Sequence, residues 1–292
     1  MLDVIHPNLL ALIAATNVAI SRVLYRNAIR KLSAFQITFI WCSVATVTSI
    51  SFYLVDKKVD VWPMEAILWF VLVGIIGGFV ARYVLIKSIE YVGLARTSVL
   101  NQTSLVWSSA FGVFIFLEDI NVWIFCGTFS IMFGSILLVY DPKGKMKVVS
   151  KYVYLIPIGN SFIIAISHIL RKFGMILLPS GSFGVAVASV TALVCMIIVY
   201  PFSKGFNINS VDRRSVLLVT IGSFFNSVSA ILFWTAVMNG RLVEVVPVNR
   251  LSVLLIIFLS WLFFRKQELV SLRVVMGGVM SVLGALLVVL GK

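Results

Sequence analysis

Charge is what this chain has least of. Only 12% of its 292 residues are Asp, Glu, Lys or Arg, about half the share in a soluble globular domain, while 61% are hydrophobic and the mean hydropathy is +1.08. A soluble enzyme and a disordered chain are both excluded, and no stretch is polar enough for a separate soluble domain. Histidine is nearly absent (His6 and His168), and the three cysteines, Cys42, Cys126 and Cys195, lie in apolar runs without metal-ligand spacing. No metal centre and no cofactor are expected, and the cysteines read as small hydrophobes. The pattern Gly-x-x-x-x-Gly-Lys-Ser/Thr is missing, so no nucleotide drives anything within this chain. The start Met1-Leu-Asp-Val-Ile-His6 has no basic segment ahead of its apolar run, so the first helix is expected to be retained rather than cleaved.

What is present is a series of apolar runs. Crossing the hydrocarbon core takes roughly 20 helical residues, and windows of that length give ten spans: 8–26, 34–54, 66–88, 95–117, 120–140, 153–171, 181–201, 214–238, 242–264 and 269–290. The runs are continuously apolar instead of alternating, which selects helices over barrel strands. The expected fold is an all-α integral membrane protein with short connectors, multi-pass in a cell membrane, the inner or plasma membrane of a prokaryote. Basic residues are unevenly distributed: fifteen fall in connectors on one side and six on the other, with Arg22, Arg82 and Arg250 inside spans. The positive-inside rule makes the richer side cytoplasmic and places both termini outside. The net charge of +13 therefore faces lipid headgroups and not nucleic acid.

The chain also repeats itself. Ala19-Ile-Ser-Arg-Val-Leu24 recurs as Ala165-Ile-Ser-His-Ile-Leu170, and Glu118, Gly127 and Gly134 recur as Glu268, Gly277 and Gly284. Two units follow, residues 1–141 and 152–292, each with five spans. An odd count inserts the second unit in the opposite sense. Inverted repeats of this kind underlie alternating access in many secondary transporters.

Asn17-Val-Ala-Ile-Ser-Arg22, Leu85-Ile-Lys-Ser-Ile-Glu-Tyr-Val-Gly93, and the run from Thr97 to Glu118 with its counterpart Val245–Glu268 carry a resemblance. In that order, the chain resembles the drug/metabolite transporter superfamily, in its ten-helix branch with two EamA-like domains. Two departures stand out: Thr103-Ser104 replaces a proline usual in the fourth span, and the family is generally drawn with cytoplasmic termini. The resemblance implies a cavity lined by the first, third, fourth, sixth, eighth and ninth spans, with the fifth and tenth at the periphery. Glycines seven apart in those two, Gly127/Gly134 and Gly277/Gly284, fit close helix approach and also suit a homodimer through these helices.

Polar groups at membrane depth point to a pathway, because they are costly unless paired, hydrated or functional. Arg250 stands out, roughly 12 Å into the ninth span, beside Asn249 and close to Pro247. It reads as an anchor for a carboxylate or phosphate, or as a fixed partner of Glu244. Asn101 and Gln102 are comparably deep in the fourth span, where amides bind polar solutes or hold helices together. Arg82 and Tyr83 lie in the third span, from which Arg82 can also snorkel to the interface. Asn17 and Ser21 share a face of the first span at i, i+4 spacing. Asn160 and His168 in the sixth span, with Asn226 and Trp234 in the eighth, complete the candidates; Trp41 and Trp107 add aromatic walls. No acid sits at the middle of a span, unlike an exporter of lipophilic cations.

The expected function is a secondary transporter moving a small polar metabolite, an amino acid, organic acid or phosphorylated solute, by alternating access as an exporter or exchanger. A lipid-linked carrier or flippase and a multidrug efflux protein are the alternatives. An integral-membrane enzyme is the remotest, since no clustered His, Asp or Glu offers catalytic residues.

Overall fold

A computed structural model describes residues 6–56, 62–104, 106–107, 110–111, 122–139, 151–202, 212–239, 248–249, 251–264 and 272–290. Within them the chain is helical. Numbered in order, the helices are α1 (Pro7–Ala28), α2 (Ala34–Asp56), α3 (Met64–Val92), α4 (Leu94–Leu100, continued by a 3-10 turn Asn101–Thr103), α5 (Val122–Val139), α6 (Leu155–Leu177), α7 (Gly181–Val199), α8 (Arg213–Asn239), α9 (Ser252–Phe264) and α10 (Leu272–Leu290). Six of them, α1, α2, α3, α6, α7 and α8, are long and apolar enough to cross a membrane.

Local chemistry sets the helix ends. Ser33 and Gln36 form a reciprocal capping box at the start of α2: Gln36 N–H donates to Ser33 Oγ at 3.2 Å and Ser33 N–H to Gln36 Oε1 at 2.8 Å. Ser180 caps α7 and Asp212 caps α8, through the N–H groups of Phe183 and Ser215. Gly93, with φ 93°, separates α3 from α4 in a conformation that side-chain-bearing residues rarely adopt. At the end of α3, Arg26 Nη1 donates to the carbonyl of Ile89 (3.1 Å), satisfying an acceptor at a helix C-terminus. Inside the helices, hydroxyls return hydrogen bonds to the preceding turn, as with Thr38 to Ala34 (2.7 Å) and Ser88 to Val84 (2.8 Å), so they remain compatible with an apolar surround.

The sixth span is longer than its hydropathy suggested. α6 runs to Leu177, so Arg171 and Lys172 are helical residues within it and not part of a connector.

Packing pairs elements from the two ends of the chain. α1 lies along α8 and α3 along α6; α2 meets α8 and α7 meets α3; α1 touches α9 and α6 touches the 3-10 turn after α4. Each member of these pairings becomes the other when helices one to five exchange with six to ten. Pairs α2–α7, α4–α9 and α5–α10 map onto themselves. Glycines sit at both related contacts: Gly77 of α3 leaves room for the Ser167 hydroxyl of α6, and Gly222 of α8 leaves room for the Tyr25 ring and the Ser21 carbonyl of α1.

The glycine seam of α5 and α10 has the same property. A Cβ at Gly134 would stand 2.7 Å from the Gly277 carbonyl oxygen, and one at Gly284 would stand 2.5 Å from that of Gly127. Ser130 Oγ donates to the Met280 carbonyl across the seam at 2.9 Å. The glycine faces expected to suit a homodimer are thus buried against each other within one chain.

Outside the membrane spans, Asp212 ties two connectors together. Its carboxylate accepts from Ser215 and from Lys31 Nζ (3.1 Å), and these hydrogen bonds, Ser215's first, hold its pKa below the ordinary carboxylate value. A depressed folded-state pKa stabilises above the unfolded value of about 3.9, and the contribution is lost as pH falls through the folded value. Asp212→Asn is therefore expected to melt earlier than the parent at pH 7, with the difference shrinking as pH falls below about 3.9 and gone once pH lies below the folded-state value. Gly134→Leu is expected to destabilise the protein by at least about 1–3 kcal/mol through overpacking, while Phe129→Leu, at an exposed position of the same helix, leaves thermal unfolding of the purified protein unchanged.

Candidate functional site

The helix that carries Arg82 is unusual just before it. Gly74–Val80 forms a π-helical segment within α3, a widening that costs hydrogen-bond quality and marks functional positions in many helices. Gly74, Gly77 and Gly78 fall in this segment and face α6 and α7 at contacts too close for a Cβ, so α3 lies deep between those helices. Arg82 follows one residue after the segment ends.

Arg82 points at Trp41 of α2. Its guanidinium carbon stands 3.8 Å from the indole centroid, a cation–π contact whose strength grows when water is excluded. The indole is itself held: Trp41 Nε1 donates to Asn226 Oδ1 of α8 at 3.1 Å, with both residues buried. Three helices thereby fix one cation. Arg22 and Tyr25 of α1, Cys42 of α2 and Arg171 of α6 all lie close enough to act on it electrostatically. Tyr25 is anchored in turn by its hydroxyl, which donates to Ser223 Oγ of α8 at 3.2 Å. No carboxylate pairs with Arg82 or Arg22 among the described residues.

A cavity of about 120 Å³ opens beside this group. Trp41 and Ala45 of α2, the glycine-rich part of α3 with Arg82, Arg171 and Met175 of α6, Gly181 to Ser189 of α7, and Asn226, Ser227 and Ala230 of α8 form its wall. Phe70 closes one end, its ring filling the space left by Gly174 and Gly184. The volume is well under the roughly 300 Å³ at which pockets begin to take drug-sized ligands. It suits a small solute.

A second polar group lies farther along α6. Asn160 Nδ2 donates to Asn101 Oδ1 (3.2 Å), Thr103 Oγ1 and Ser161 Oγ are 2.6 Å apart, and Trp107 Nε1 donates to Ser161 Oγ (3.2 Å). These bonds join the 3-10 turn after α4 to the first turns of α6. Asn160 precedes Arg171 by eleven residues, or about 16 Å along the helix. The cavity and this seal therefore occupy different levels of the membrane.

Of the residues singled out in the sequence, Arg82 and Asn226 line the cavity, while Asn101 and Asn160 meet in the seal beside buried Gln102. Ser21 is buried on α1 next to Tyr25, and Asn17 is half-buried one turn before it. Tyr83 packs into the apolar cluster around Tyr25 and Ile37, and His168 is exposed. Asn249 is half-buried and helical. Arg250 lies outside the described residues, as does the side chain of Trp234. Among the described residues this cavity is lined from α2, α3, α6, α7 and α8, so α2 and α7 stand beside three of the helices that the resemblance implied. Arg171 and Arg22 were not singled out. The apolar run from Gly174 to Leu178 was the signal that Arg171 sits inside a span.

Comparison with known proteins adds the following. Residues 7–140 match the EamA-like transporter family. A solved structure, titled only as the crystal structure of a protein, superposes with a TM-score of 0.64 over 96% of this chain and 95% of that one; at 15% identity the likeness is one of fold. No curated protein matches in sequence.

The stacked triad makes a stability prediction. Trp41→Phe keeps an aromatic face under Arg82 but removes the bond to Asn226, and is expected to cost about 1 kcal/mol. Trp41→Ala also removes the face and leaves a cavity, and is expected to cost roughly 3–5 kcal/mol. Chemical unfolding of the purified protein in detergent reads both.

Proposed function

We propose that this chain, which belongs to the EamA-like transporter family by its residues 7–140, carries a small polar metabolite through the chamber beside Arg82. Membership implies a secondary transporter and sets the membrane-enzyme alternative aside.

One observation carries it. Arg82 sits inside a membrane span, held on Trp41 and facing a cavity, and no carboxylate pairs with it among the described residues. Such a charge is expensive to keep unless something mobile compensates it. A solute that arrives and departs is such a partner. The cavity's size favours a metabolite over the lipid-linked and multidrug alternatives.

Alternating access needs two near-equivalent halves, and the pairwise exchange of helix contacts supports units 1–141 and 152–292 related by a dyad in the membrane plane. In this reading the cluster of Asn101, Asn160, Thr103 and Ser161 closes one entrance and Phe70 the other, and the two open in turn. Both termini on the outer side remain the assignment from the basic residues. The homodimer read from glycine spacing keeps only the outward stripe Phe125, Phe129 and Phe133, which lipid covers equally well.

Arg82→Gln separates function from folding. Removing an uncompensated charge from the membrane interior should leave thermal stability equal or higher, whereas solute exchange in proteoliposomes should fall at least tenfold. Undiminished exchange by a well-folded Arg82→Gln protein would refute the site.

A further inference from the structure

The wall of the Arg82 chamber is one-sided in its charge. Among the described residues its charged members are both arginines, Arg82 and Arg171, and no Asp or Glu belongs to the lining. The neutral polar groups are mixed. Asn226 Oδ1 accepts from the Trp41 indole, which leaves the amide NH₂ to donate. Ser227 Oγ donates to the Ser223 carbonyl at 2.8 Å and so turns only acceptor lone pairs to a solute. Trp41 can only donate, and its single N–H is engaged. Arg82 lies over the Trp41 indole, and its guanidinium carries five N–H donors in a fork that can meet two oxygens of one anion.

A zwitterion fits this wall badly. Its carboxylate would find donors, but its ammonium group brings three more donors and a positive charge into a chamber already holding two guanidinium groups. In a low-dielectric interior such juxtaposition is repulsive, and unmatched donors there lose the water they had outside. The acceptor oxygen of Ser227 and the ring faces of Trp41 and Phe70 would meet the ammonium, but none of them carries a negative charge, and Arg82 already covers one of the rings.

From this asymmetry we infer that the chamber takes a small anion of the carboxylate or phosphate class that carries no positive group, and that it rejects amino acids. The inference rests on the carrier reading above and narrows its solute. Oxygen pairs on the anion meet the edge of Arg82, the Asn226 amide donates to a further oxygen, and the uncharged remainder lies against Phe70 and the glycines of α3 and α7. Carboxylate and phosphate share this chemistry, and separate probes tell them apart.

The test uses the full-length protein in proteoliposomes, with counterflow of labelled succinate, inorganic phosphate, alanine and choline, and thermal melting of the detergent-purified protein with the same four compounds. Succinate or phosphate is expected to exchange more than tenfold faster than alanine or choline, and to raise the melting temperature; Arg82→Gln abolishes both responses. Introducing an acceptor by Ala230→Asp should bring alanine exchange up relative to the anions. Alanine or choline exchanging as fast as the anions overturns the anion assignment and leaves the carrier standing. An anion-induced, Arg82-dependent rise in melting temperature without exchange of any compound supports the anion site and refutes the carrier. Neither exchange nor a melting shift with either anion overturns the inference.

Discussion

The centre of this protein is arranged around a guanidinium, that of Arg82, which no carboxylate pairs with among the described residues. The stack of Arg82 on Trp41, and the hydrogen bond from Trp41 to Asn226, tie α2, α3 and α8 to a single point. A cation–π contact is worth about 2 kcal/mol when desolvated, which does not offset the cost of keeping the half-buried Arg82 without a counter-ion in a membrane interior. The difference is what a solute anion can supply. Strain at the π-helical turn just before Arg82 belongs to the same arrangement, since a functional site is where a fold tolerates local disadvantage.

Around that point the helices pack in exchangeable pairs. α1–α8 answers α6–α3, and the α5–α10 seam answers itself, with Gly134 against Gly277 and Gly284 against Gly127. Contacts that recur when two parts are exchanged are the mark of an isologous interface. For a carrier the consequence is energetic. Two halves with the same contacts have two arrangements of similar free energy, so a solute needs only a modest preference to move the population between them. The seal at Asn101, Asn160, Thr103 and Ser161 is built from neutral hydrogen bonds, each of which contributes about 1 kcal/mol and can be broken singly.

The fold was legible in the sequence because hydropathy alone determines where a helix crosses lipid, and ten apolar runs leave few alternatives. Within the site, Arg82 and Asn226 were legible for a related reason: a polar residue in an apolar run has no bland explanation that comes cheaply. Arg171 was not, because two adjacent basic residues look like the end of a span; α6 carries them inside and continues to Leu177, beyond both. The contribution of α2 and α7 to the cavity was hidden in residues without chemistry of their own. Gly181, Gly184, Ala45 and Ala188 make the chamber by being small, and small residues in a membrane helix equally signal close packing. Arg250, the residue the sequence ranked first, lies outside the described residues, and the site stands without it.

The central claim is that the space beside Arg82 is reached by solute from both faces of the membrane in turn. Ser189 of α7 lines that space, and a single cysteine there, with Cys42, Cys126 and Cys195 replaced by alanine, can be challenged with a membrane-impermeant thiol reagent from either side of a sealed vesicle. Modification from both faces, slowed by succinate or phosphate, is the predicted result. A cysteine that reacts from one face only, or whose reaction rate no solute changes, would contradict the account.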